Sequence, residues 1–119
     1  MTQLQGLRIR RDEILKEITA LEQIRRGSVV EQFVETVKAD GSKVRRGPYA
    51  LYSYKEKKKT VSRRVSNPEL VKVYRKQIKA FRRYQELSAE LICIGEKISD
   101  MIISEGDDKK NSRSRYRTR

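Results

Sequence analysis

The sequence contains no histidine and no tryptophan, and cysteine occurs once among its 119 residues. A disulfide scaffold needs paired cysteines, and a zinc finger needs several Cys and His ligands. Both classes are therefore excluded, as is any reaction that uses a histidine base. No apolar run reaches the ~18 residues of a membrane span, and the N-terminal stretch MTQLQGLRIRR lacks the apolar core of a secretory signal. We expect a soluble, cytoplasmic protein in a reducing compartment, without a membrane partner.

Positive charge is what the chain has in excess. Lys and Arg number 29 against 16 Asp and Glu, which gives a formal charge of +13, and hydrophobic residues make up 36%. A chain of this length is expected to fold as one domain around a small core that is marginal alone. The charge predicts an anionic partner.

The chain changes from helical to strand-like periodicity and back. Apolar residues recur at helical spacing from Thr2 to Arg26. Three β-rich stretches follow: SVVEQFVETV (28–37), YALYSY (49–54, entered at Pro48) and TVSRRV (60–65), with a turn at Asp40-Gly41. Ser66-Asn67-Pro68-Glu69 then starts a second helix that is predicted to run to about Ser104. Its apolar stripe comprises Val71, Tyr74, Ile78, Phe81, Leu91, Ile92, Ile98 and Ile102.

These patterns predict an α+β fold: two long antiparallel helices with a small three-stranded antiparallel sheet between them in sequence. Residues 1–104 form the single domain, and 105–119 form a basic tail that is disordered when free. The second helix is the longer, so its apolar end overhangs the first and needs a partner surface. A second copy of the chain is the simplest supplier, which predicts a homo-oligomer. Alternatively, Gly95 breaks the helix and its end folds back.

Six basic residues share one face of the second helix, and no acid follows Glu69 among them. At ~100° per residue they cover a face about 120° wide, roughly 130° from the apolar stripe. Like charges at this spacing repel, so we expect a polyanion to offset them; a merely solvated face is the alternative. We call this face the helical rail: Lys72, Arg75, Lys76, Lys79, Arg82 and Arg83.

The strand region adds further cations and aromatic residues. A lysine cluster falls at a hairpin tip, arginine pairs flank the strands, and tyrosines that could stack on bases lie among them. Alternatively, the tyrosines pack against the helices and the lysines discourage aggregation. The residues concerned are Lys57, Lys58 and Lys59; Arg45, Arg46, Arg63 and Arg64; and Tyr52 and Tyr54.

The sequence offers little for catalysis. It lacks a phosphate-binding GxxxxGK[ST] loop, and its acids, such as Asp12-Glu13, fall on predicted helix exteriors or before the tail, not clustered for catalytic metal ions. Cys93, between Ile92 and Ile94, is expected to be a buried thiol that acts as a small hydrophobe. We therefore predict a protein that is not an enzyme and has no cofactor or metal.

Three stretches resemble a family of small prokaryotic proteins of unknown function: RRGSVVEQFVE (25–35), RRGPYALYSYKEKKKTVSRRVS (45–66) and ELVKVYRKQIKAFRRYQEL (69–87). The resemblance implies the order helix, small sheet, long helix, and an association with mobile elements or their effector complexes. Many relatives carry cysteines between the first two strands, suggestive of a metal knuckle. This chain has none between Val34 and Pro48, so metal binding is not carried over.

The sequence therefore predicts a non-catalytic accessory protein that binds the phosphate backbone of a nucleic acid, RNA slightly favoured over DNA, within a larger nucleoprotein complex. Backbone contacts position a protein without specifying sequence. The alternative is a protein-interaction module whose long helix mediates oligomerisation or docks to an acidic partner, such as a larger effector protein.

Overall fold

The computed structural model describes the backbone of residues 2–113 and the side chains of residues 2–106. Along the chain, one helix precedes and one helix follows a three-stranded antiparallel sheet, whose strand order is β1-β2-β3. This confirms the predicted α+β class. The elements are α1 (Gln3–Ala20), β1 (Ser28–Val37), β2 (Lys43–Glu56), β3 (Lys59–Val65) and α2 (Pro68–Arg113). Helix α2 continues past Ser104, where the sequence analysis ends it. The rest of the predicted tail, 114–119, lies outside the described residues.

Helix α1 begins with a capping box and ends earlier than predicted. The Gln5 N–H donates to Thr2 Oγ1 at 3.1 Å, and the Thr2 N–H donates to Gln5 Oε1 at 2.9 Å. The prediction of helix up to Arg26 is wrong, because the backbone after Ala20 bonds to other partners. The Arg25 N–H donates to the Gln77 carbonyl at 3.1 Å, and the Arg26 carbonyl accepts from the Tyr52 hydroxyl at 2.6 Å.

Strand β1 has the predicted limits, whereas β2 starts at Lys43, six residues before the predicted strand. Pro48 therefore lies inside β2 and not at its entry. Tyr49 pairs with Gln32 and Arg46 pairs with Val34, so Gly47 and Pro48 form a bulge opposite one residue of β1. A bulge tolerates a proline that cannot donate to the ladder. Gly47 has φ +125°, and a Cβ there would lie 2.8 Å from the Gln32 carbonyl oxygen.

The described residues group into two compact units, each with its own core. The first comprises residues 23–83, that is, the sheet and the start of α2. Its buried side chains are Tyr52, Val65, Tyr74 and Ile78. The prediction that Tyr74 and Ile78 belong to the apolar face of the helix is therefore confirmed.

The second unit consists of α1 and the part of α2 from Tyr84 onward. Ile14 and Leu87 are fully buried there, together with Ile94. Arg10 forms a bidentate salt bridge with Glu90, with N–O distances of 2.6 and 2.8 Å, and this bond raises the pKa of Arg10. The unit thus combines a small apolar core with a charge-assisted link between its helices.

Three sequence predictions for α2 are wrong. Ile92 is 62% exposed, so it does not belong to the buried stripe. Ile92 is out of phase with the buried positions Leu87 and Ile94. Ile102 is 47% exposed, but it lies in the end of α2 that is expected to need a partner surface. Cys93 is exposed for the same helical reason as Ile92. The alternative that the helix breaks and folds back is also wrong, because α2 is continuous through the glycine at position 95.

Within the described part of the chain, neither helix combines the length and the apolar character needed to cross a lipid bilayer.

Candidate nucleic-acid interface

The helical rail lies on the surface of the unit formed by residues 23–83. Its residues are exposed, except Arg83, which is half-buried and has a polar contact. The side chains of Tyr74 and Ile78 leave the same helix toward the sheet and are buried. Helical periodicity therefore separates a core face from a cationic face, as the sequence predicts.

Three rail residues line one groove beside strand β1. Arg75, Lys79 and Arg82 recur at i, i+4 and i+7, and they surround a groove of about 330 Å³ whose apolar lining is Val29 and Ile78. We call this the cationic groove.

The rail is not free of acidic neighbours, contrary to the expectation from the helix sequence alone. Arg75 Nη2 lies 3.9 Å from Glu31 Oε1 of β1, and Lys72 Nζ lies 3.6 Å from Glu69 Oε1. All four side chains are about half exposed or more, so each pair contributes little to stability. Glu31 was missed because the contact depends on how β1 packs beside α2, which the order of residues in α2 does not contain.

Tyr52 belongs to the core and is not available to stack on a base. It is 4% exposed, its ring centroid lies 5.0 Å from that of Tyr74 and 5.3 Å from that of Tyr54, and its hydroxyl is bonded to a backbone carbonyl. This geometry corrects the base-stacking hypothesis for Tyr52 and agrees with the alternative, in which tyrosines pack against a helix. Tyr54 is half-buried and keeps part of its surface.

Arg63 is engaged in the same aromatic cluster. Its Nη2 donates to the Tyr74 hydroxyl at 2.7 Å. Arg25, which the sequence analysis did not single out, lies with its guanidinium carbon 4.1 Å from the Tyr74 ring centroid and donates from Nε to Gln77 Oε1 at 2.7 Å. Both arginines therefore help to hold α2 on the sheet. The sequence analysis missed this role of Arg25 because it placed Arg25 in α1, where contact with the sheet and α2 is not expected.

Two other arginines are exposed and lie with their guanidinium groups over aromatic rings. The guanidinium carbon of Arg64 is 3.8 Å from the Tyr49 ring centroid, and that of Arg45 is 3.9 Å from the Phe33 centroid. Stacking fixes the orientation of a guanidinium while its N–H groups remain able to bind a phosphate. Arg46 is exposed at the next position of β2.

The predicted lysine tip is the turn between β2 and β3. Glu56 pairs with Lys59, so Lys57 and Lys58 form a two-residue hairpin loop. Both have positive φ, 51° and 68°, as a type I′ turn requires and as Asn and Gly adopt more readily. The turn therefore carries exposed lysines at two positions where the backbone conformation favours Asn and Gly.

Among the described residues, no cluster of three or more acidic or cysteine side chains is arranged to hold a metal ion.

Fold and surface together define a small α+β protein in which a short sheet carries a helix with one cationic face. Residues 4–76 match the family described as Domain of unknown function (DUF6788), and the chain belongs to this family. The match includes α1, the whole sheet and the rail as far as Lys76. No curated protein and no solved structure matches the chain.

Proposed function

We propose that this protein binds the phosphate backbone of a nucleic acid, without catalysis, as an accessory subunit of a larger nucleoprotein complex of the kind that mobile elements encode. The observation that carries the proposal is the convergence of Arg75, Lys79 and Arg82 on one groove. Mutual repulsion disfavours such a cluster unless an anion occupies it.

The dimensions of the groove suit a phosphate chain. Arg75 and Arg82 are seven residues apart, which is ~10.5 Å along a helix. Phosphates recur every ~3.4 Å of axis along one strand of a duplex, so the groove matches about three of them. Glu31 neutralises only part of this charge, because its contact with Arg75 is long and exposed.

Other exposed cations of the same unit extend the proposed interface. Arg64 and Arg45 are pre-oriented on rings, and the lysine tip adds flexible point charges. Tyr52 and Arg63 are left out, because their side chains hold the core. Structured RNA remains slightly favoured over duplex DNA on account of the half-buried Tyr54 and the Arg/Ser-rich C-terminal sequence.

The test is a binding measurement on the full chain with the groove neutralised. We expect the Arg75→Gln/Lys79→Gln/Arg82→Gln variant to lose at least ~10-fold in affinity for a hairpin RNA and a DNA duplex at low salt, by fluorescence anisotropy. Lys97→Gln, an exposed lysine on the same helix outside the groove, is the matched control. Equal affinities of the two variants, with unchanged circular dichroism, would contradict the proposal.

The second candidate function is assembly through α2, with α1 and the later part of α2 antiparallel. Ile92, Ile102 and Ile103 favour it, because they are 62%, 47% and 57% exposed on one helix, and large exposed apolar groups mark contact surfaces. Reversing Lys72, Lys76 and Lys79 to Glu discriminates the two functions. Loss of nucleic-acid retention with an unchanged sedimentation coefficient favours the binding function, and the opposite result favours assembly.

A further inference from the structure

A second cavity lies at the end of the sheet where β1 begins. Ser28, the first residue of β1, pairs with Ser53, whereas β2 continues to Glu56 and pairs there only with β3. The space that an extended β1 would fill is instead a pocket of about 450 Å³, within the usual range of small-molecule sites, about 300–1,000 Å³. We infer that this pocket binds one unpaired nucleotide of the nucleic acid; this inference rests on the proposed function.

Gly27 lines the pocket at a point where the chain approaches β2 closely. Gly27 has φ +109°, a backbone conformation that residues with a side chain rarely adopt, just before β1 starts. A Cβ at Gly27 would lie 2.3 Å from the Ser53 carbonyl oxygen and 2.9 Å from Tyr52 Cε1. The close approach of the chain to β2 at this position therefore requires glycine.

The lining has the chemistry of a nucleotide site. Arg26 and Lys55 supply two cations, Ser28 and Thr60 supply hydroxyl groups, and no acidic side chain lines the pocket. Tyr54 forms an aromatic wall: its ring stacks on Tyr52 at an interplanar angle of 27°, so it is held rigid. An aromatic side chain can stack on a base while cations nearby hold the phosphate of the same nucleotide.

The lysine tip favours a nucleic-acid strand over a peptide as the occupant. Lys57 and Lys58 follow the pocket residue Lys55 after one intervening residue, Glu56, and Lys59 precedes Thr60 on β3. A strand with its unpaired nucleotide in the pocket would therefore have neighbouring phosphates beside these lysines. An extended peptide added along the free edge of β2 is the competing occupant, and it needs no phosphate.

The experiment uses the full chain with AMP and UMP as probes, and inorganic phosphate as the reference, in amide chemical-shift titrations. We expect both nucleotides to shift the amides of Gly27, Ser53 and Lys55, and to bind at least ~10-fold more tightly than phosphate. Lys55→Gln and Arg26→Gln should each weaken nucleotide binding several-fold. Lys38→Gln, an exposed lysine in the β1–β2 turn, should leave it unchanged.

A second measurement separates this inference from the proposed function. A hairpin RNA with one unpaired nucleotide should bind wild type more tightly than a fully paired hairpin, and Lys55→Gln should abolish the difference. Binding of both hairpins through the cationic groove with no such difference overturns the pocket and leaves the proposed function intact. The pocket inference is also overturned if phosphate and the nucleotides bind with equal affinity. The same holds if an acidic peptide, and no RNA hairpin, displaces the nucleotides. Failure of both hairpins to bind refutes the proposed function itself.

Discussion

The salt dependence of nucleic-acid binding is the sharpest expectation from the cationic groove. Each phosphate neutralised on a duplex contributes about −0.9 to the slope of log affinity against log salt. Replacing Lys79 by Gln removes one of the three groove cations and should reduce the slope by about 0.9, whatever the other basic residues add.

The expected magnitudes follow from the number of groove cations. With three contacts, the groove alone gives a slope of about −2.7, so raising salt from about 50 to about 200 mM weakens binding ~40-fold. With two contacts the slope is about −1.8, and the same change weakens binding ~12-fold. Glu31→Gln should act in the opposite direction and raise affinity, because it frees Arg75 from its 3.9 Å contact.

Fluorescence anisotropy with a labelled duplex, repeated at five salt concentrations, measures these slopes. Lys97→Gln serves as the control, since Lys97 is exposed on the same helix and lies among acidic residues. If Lys79→Gln and Lys97→Gln both retain the wild-type slope, Lys79 does not contact a phosphate and the reasoning from the groove is refuted.

Three further predictions concern the scaffold of the interface. Tyr52→Phe removes the hydroxyl that donates to the Arg26 carbonyl and should lower the free energy of unfolding by ~1 kcal/mol; an unchanged urea midpoint would show that the bond contributes nothing. Lys58→Gly should raise the free energy of unfolding by ~0.5–1 kcal/mol. Glycine adopts the φ of 68° at this position without strain, which outweighs its larger loss of backbone entropy on folding; a lower melting temperature would contradict this. Two hydrogen bonds from Ser42 hold the pKa of Asp40 below its ordinary value. That carboxylate therefore stabilises the turn above the pKa of the unfolded chain, with the effect lost as pH falls through the folded-state pKa. Ser42→Ala should raise the pKa of Asp40 in a carbon-13 NMR titration.

Local sequence patterns predicted the elements, and tertiary contacts decided where they end. Alternation and β-branched residues placed β1 correctly from Ser28 to Val37. The predicted α1 was too long because residues 21–26 are compatible with a helix by sequence. The actual end of the helix depends on tertiary contacts such as the hydrogen bond from the Arg25 N–H to the Gln77 carbonyl. Gly47-Pro48 normally interrupts a strand, and only pairing with β1 shows that a bulge absorbs it.

The candidate site shows the same division. The helical rail follows from periodicity, because six basic residues at helical spacing must share a face. Periodicity could not show which of them converge on Val29, or that Glu31 meets Arg75, since both depend on how β1 packs beside α2. The pocket at Gly27 was also missed. The sequence signal for this pocket is a glycine directly before a strand. A glycine at this place is equally expected where a helix ends, so it does not by itself indicate a pocket.

Cys93 has a practical consequence for every measurement of assembly. It is the chain's one thiol and lies exposed on α2, so no internal cysteine competes for it. Air oxidation of a concentrated sample can join two chains through this position into a covalent dimer, which would imitate association through Ile92, Ile102 and Ile103. Sedimentation therefore needs a reductant, or a Cys93→Ser variant. The same thiol accepts a single maleimide dye, so fluorescence can be placed on the helix that carries the cationic groove without adding a cysteine.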